Sequence, residues 1–104
     1  MKREARLEDR VAVVTGGGRG IGRAAAVILA RAGAAVAVAA RAAREIEQTA
    51  EAIRHSGGRA LAVSADVSQW PEVQRLAEDT GRMLGPADIV VANAGVIDPI
   101  GDSW

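Results

Sequence analysis

Between Val11 and Ala92, apolar runs alternate with stretches patterned at helical spacing. Val11 to Thr15 is continuous and β-branched enough to predict a strand buried on both faces. Ala35 to Ala40, Ala60 to Ser64 and Asp88 to Ala92 read as a second, third and fourth strand. The alanine-rich span from Ile21 to Ala32 predicts a helix that packs closely on a sheet, with Gly33 as its C-terminal cap. From Ala43 to His55, Ile46, Ala50 and Ile53 recur at helical spacing, while Glu47, Glu51 and Arg54 fall on other faces; Gly57-Gly58 ends the helix. A third helix is expected to start from Ser68 as N-cap, with Pro71 tolerated in its first turn. Its inward stripe reads Val73, Leu76, Ala77, Thr80 and Leu84, and Gly85-Pro86 breaks it.

The order β-α-β-α-β-α-β, with crossovers long enough for parallel pairing, predicts an α/β fold. Right-handed crossovers make it a Rossmann-like doubly wound parallel sheet, partial, with four strands ordered 3-2-1-4 and three helices. Strands one and four then lie side by side at the switch point, where a ligand crevice opens. Residues 1–104 read as one domain, with 1–9 as a flexible start and 96–104 as an irregular tail.

Composition narrows the function classes. Of 104 residues 49% are hydrophobic, and 13 basic side chains balance 13 acidic ones, which suits one soluble domain. Zero net charge offers no electrostatic case for nucleic acid or an anionic membrane. With no cysteine there is neither a disulfide nor a thiolate metal site, and the single histidine, His55, has no carboxylate spacing around it that suggests a metal. Met1 to Arg10 is charged and unlike a signal peptide, and charges interrupt every run short of the roughly 18 apolar residues of a membrane span. A cytoplasmic location is the default expectation.

The chemistry concentrates where the first strand runs into Gly16-Gly17-Gly18-Arg19-Gly20-Ile21-Gly22. A strand, a side-chain-free turn and a helix N-terminus make a socket for a phosphate. Gly17 to Gly22 has the glycine spacing of a P-loop, but Arg23-Ala24 stands where that loop needs lysine and a hydroxyl. The common Gly-x-Gly-x-x-Gly/Ala fingerprint fits Gly20, Gly22 and Ala25, but its tight turn then comes too late after the strand. Thr15-Gly16-x-x-x-Gly20-x-Gly22 is the better register.

That register resembles the cofactor loop of the short-chain dehydrogenase/reductase family. Asp66-Val67 after the third strand and Asn93-Ala94-Gly95 after the fourth match two further family motifs, so the resemblance runs from Leu7 onward. It implies that Gly16, Gly18, Arg19, Gly20, Ile21 and Gly22 line the dinucleotide pyrophosphate. By the same resemblance Asp66 accepts from the adenine amino group beside the Val67 backbone. Asn93, with Ala94 and Gly95, both braces the sheet and lies beside the cofactor ribose.

An acid at the end of strand two would bind the ribose hydroxyls of NAD. Here that strand ends Val38-Ala39-Ala40-Arg41, and the first acid is Glu45, a helical turn later. Arg41 presents a planar charged fork suited to a 2′-phosphate, and Arg19 resembles a second basic determinant of NADP-preferring relatives. Arg44 is a weaker candidate for the same pocket. NADP is therefore expected over NAD.

The family's chemistry, hydride transfer between nicotinamide and a carbonyl or alcohol substrate, implies a tyrosine acid/base with a lysine beside it. This chain has no tyrosine, and its only lysine is Lys2; Asn93 and Ser103 are not candidates for the family's catalytic asparagine and serine. No catalytic residue is assigned, and the chain is expected to be an inactive N-terminal portion of a longer enzyme, a homo-oligomer when full length. The alternative is a non-enzymatic dinucleotide-binding module. The apolar fourth strand, left as an edge, predicts a marginally stable chain that self-associates.

Overall fold

The computed structural model describes residues 7–93. Its elements follow in strict alternation: β1 (Val11–Thr15), α1 (Gly20–Arg31), β2 (Ala35–Ala40), α2 (Ala43–His55), β3 (Ala60–Ser64), α3 (Trp70–Met83) and β4 (Ile89–Ala92). All pairings are parallel, in the expected order β3-β2-β1-β4. Because successive side chains of a strand face opposite ways, an all-apolar strand serves two cores at once. Ala12, Val14, Val36 and Val38 face one core with Ala26 of α1 and Ile46, Ala50 and Ile53 of α2. Val13, Ala37 and Ala39 face the other, with Val63, Ala65 and Leu76 of α3. Among the described residues no helix is long and apolar enough to cross a membrane.

The helix ends differ slightly from the sequence expectation. α1 starts and stops one residue early, since Ala32 is already its C-cap and the chain turns left-handed at Gly33 (φ 109°). Ser68 is not the N-cap of α3: that place falls to Gln69, which makes no side-chain cap bond. The Ser68 hydroxyl and amide instead donate to Asp66, so a local turn outcompetes the cap. On α3, Leu76 and Thr80 are buried, but Ala77 is exposed. It lies one residue, ~100° of helix rotation, beyond Leu76 and so off the stripe.

β4 begins at Ile89, and Asp88 clips it to the start of β1: its amide donates to the Val11 carbonyl (2.7 Å) and its carboxylate accepts the Val11 amide (2.9 Å). The segment expected as a flexible start enters the described residues at Leu7, whose amide donates to the Ala32 carbonyl and whose side chain packs on the first core. The tail 96–104, with Ala94 and Gly95 of the candidate site, lies outside the described residues.

Candidate functional site

The glycine loop leaves the C-terminal end of β1, with β2 on one side and β4 on the other. This is the switch point of the sheet, where the chain has crossed to opposite sides of β1 and the loops diverge. Gly16 has φ 68° and Gly20 φ 61°, values at which a side chain is strained. The Gly16 amide donates to the Ala39 carbonyl at 2.7 Å, anchoring the loop entrance to the end of β2.

At Gly16, Gly17, Gly18 and Gly22 space excludes side chains, whereas at Gly20 only the dihedral does. A Cβ on Gly16 would run into the Asn93 carbonyl, and one on Gly22 into the Gly16 carbonyl. At Gly17 it would meet Val38 at 2.9 Å, and at Gly18 the Glu45 Cβ at 2.8 Å. α1 follows with no acid in its first turn and no side-chain bond at its N-cap, Arg19. Its leading amides therefore have no carboxylate of their own helix to satisfy them.

β4 delivers Asn93 to the same place. The Asn93 amide donates to the Thr15 hydroxyl at 3.1 Å, that hydroxyl donates to the Val91 carbonyl, and Asn93 Nδ2 reaches the Gly16 carbonyl at 3.4 Å. The expected bracing of neighbouring strand ends by Asn93 is thus present in the geometry. Ile21 is exposed beside the loop, and the Arg19 side chain is 84% exposed, its guanidinium 3.9 Å from the Glu45 carboxylate.

Asp66 and Val67 follow β3, and Val67 is exposed. Two hydrogen bonds from Ser68, from the hydroxyl at 2.6 Å and the amide at 3.0 Å, hold the Asp66 carboxyl below the usual aspartate range. Burial opposes the shift, and the Arg41 charge adds a little to it. Arg41 is exposed, and its carbonyl accepts from the Ser64 hydroxyl. The Asp66 amide in turn donates to Glu72 of α3 at 2.9 Å, and Arg75 ties that helix to the Ser64 carbonyl.

Three residues beside the loop have no site role in the sequence expectation: Arg23, Glu45 and Thr49. Thr49 is fully buried and bonds both the loop and Arg23. A polar residue on the apolar stripe of Ile46, Ala50 and Ile53 is the signal that points to it.

Known proteins share this arrangement. The family described as short chain dehydrogenase matches residues 10–103. An uncharacterized oxidoreductase of Mycobacterium tuberculosis is 47% identical over 90 residues, 86% of this chain and 34% of its own length. A hydroxynaphthalene reductase-like protein of Metarhizium robertsii is 43% identical over the same shares. Among solved structures, a hydroxysteroid dehydrogenase from Escherichia coli superimposes with a TM-score of 0.86 at 36% identity, over 90% of this chain and 40% of that one. A short-chain type dehydrogenase/reductase from Mycobacterium marinum gives 0.85 at 38% identity, over 90% and 38%. The chain spans about a third of the length of the curated relatives it matches. Because the family match takes in all four strands from whose ends the site is built, the chain belongs to the short-chain dehydrogenase/reductase family of oxidoreductases.

Proposed function

We propose that this chain forms the NADP-binding part of an oxidoreductase that moves hydride between nicotinamide and a small carbonyl or alcohol substrate. The observation that carries the reading is the cradle at the end of β1. Side chains at Gly16 and Gly22 have no room, and the first-turn amides of α1 lack an internal acid. Such a surface suits a pyrophosphate.

In this reading the backbone from Gly16 to Gly22, Gly18 and Gly20 included, with Ile21 beside it, holds the pyrophosphate. Arg41 and Arg19 take the 2′-phosphate, because Arg41 stands where an NAD-binding acid would be. Asp66 accepts from the adenine amino group beside Val67, and Asn93, with Ala94 and Gly95, orients the ribose. When bound, the nicotinamide supplies or accepts the hydride. No residue of this chain is assigned to the proton, since it has no tyrosine and its single lysine, Lys2, lies far ahead of β1. Hydride transfer is therefore proposed for the whole protein, as a cytoplasmic homo-oligomer, and binding for this chain.

Titrating the chain with NADP and NAD tests the cofactor. Tighter NADP binding is expected, and Arg41→Ala weakens it by about tenfold while leaving NAD nearly unchanged. Tighter NAD binding, or an unchanged NADP affinity in Arg41→Ala, overturns the NADP reading. The alternative expected from the sequence is a module that binds the dinucleotide without catalysis. The coding sequence after Trp104 discriminates: an open frame with Tyr-x-x-x-Lys supports the enzyme, a stop codon the module.

A further inference from the structure

We propose that Thr49 of α2, with Arg23 of α1, is a clasp that positions the glycine loop for a pyrophosphate-bearing ligand. The inference rests on the proposed cofactor role of that loop.

A threonine inside a helix ordinarily returns its hydroxyl proton to the carbonyl four residues back. For Thr49 that carbonyl belongs to Glu45 and lies at 3.3 Å, whereas the Gly17 carbonyl lies at 2.9 Å. The single hydroxyl proton therefore goes to the loop. The oxygen is not left idle, because Arg23 Nη1 donates to it at 3.1 Å. A charged donor on the oxygen polarises the O–H and strengthens its bond to Gly17. Thr49 is fully buried, so its bond to Gly17 is shielded from water, while the bond from Arg23 is partly buried.

Arg23 sits in the first turn of α1, where a cation is opposed by the helix dipole. Its bond to Thr49 gives that position a structural reason. One turn before Thr49 on the same helix, Glu45 fills the space beside Gly18 and pairs with Arg19. Residues 17, 18 and 19 are thus each met by α2, while Gly16 is anchored by Ala39 and Asn93. The entrance of the loop hangs on backbone and Asn93; its middle hangs on side chains of α2.

Amides that grip a phosphate must stand within hydrogen-bond reach of it, so a shifted loop loses affinity without losing the fold. Thr49→Val keeps the shape and drops the hydroxyl, and Thr49→Ser keeps the hydroxyl. Thermal unfolding checks that each is folded; Thr49→Ala replaces the valine variant if that one is not. Binding is measured for NADP and for 2′-AMP, which carries adenine and the 2′-phosphate but no pyrophosphate. The expected result is an NADP affinity about tenfold weaker in Thr49→Val, with 2′-AMP unchanged and Thr49→Ser like the parent. Amide hydrogen exchange of residues 17–19, measured without ligand, rises in the same variant. An unchanged NADP affinity in a folded Thr49→Val, or an equal loss for 2′-AMP, overturns the clasp alone. A parent chain that binds neither NADP nor NAD overturns the cofactor reading and the clasp with it.

Discussion

Asp66 shows how one turn sets the chemistry of a side chain. Its carboxylate accepts both the amide and the hydroxyl of Ser68, and both bonds favour the ionised form. A depressed folded-state pKa contributes stability that is present above the unfolded value, about 3.9, and is lost as pH falls through the folded value. Ser68→Ala is expected to raise the Asp66 pKa toward the ordinary range, read by carbon-detected titration of the carboxyl group. An unmoved titration would show that the Ser68 hydroxyl is not the cause. Residue roles were only partly legible here. Serine ahead of a helix suits both a cap and an aspartate turn, and the competition is decided by backbone placement. Thr49 is half legible for a similar reason: a polar residue on an apolar stripe marks it, but nothing in its neighbours' spacing says that a glycine carbonyl of another segment lies within reach.

Among the elements, strands were legible almost to the residue, since an apolar run flanked by glycine or charge has few other interpretations. Helix ends were less so, because they depend on which residue first leaves helical dihedrals. The junction of β1 and α1 carries the sharpest expectation. Ala in place of Gly ordinarily stabilises a helix interior by roughly 0.5–1 kcal/mol. At Gly22, however, the new methyl group would strike the Gly16 carbonyl and stand 2.6 Å from Asn93 Nδ2. Overpacking typically costs about 1–3 kcal/mol, and backbone carbonyls yield less than side chains do. Gly22→Ala is thus expected to destabilise by about 1–2 kcal/mol net and to abolish tight dinucleotide binding. Denaturant unfolding and cofactor titration check the two effects separately; a variant as stable as the parent would contradict the close approach.

At the scale of the whole molecule, β3 and β4 are the edges of the sheet among the described residues. β4 pairs with β1 on one side, and Val90 in its middle is 66% exposed. A short apolar edge of this kind invites pairing with another chain. The 104-residue chain is expected to self-associate as concentration rises, seen by sedimentation velocity. Val90→Lys, placing a charge on that strand, should weaken association by about tenfold or more. A parent that stays monomeric across the concentration range would count against the edge as the contact.

The strands, their parallel order and a turn after β1 suited to a phosphate are readable in the chain alone. Those properties follow from short-range causes: apolar runs, crossover length and handedness, and residues without side chains at a turn. What stands around the loop is set by how the segments pack. Asn93, Glu45 and Thr49 lie tens of residues from Gly16, Gly18 and Gly17, and meet them because the sheet and α2 carry them there. Such contacts arise from packing between segments, which leaves no local pattern in the chain. The glycine loop was therefore legible as a socket, while the hands that hold it were not.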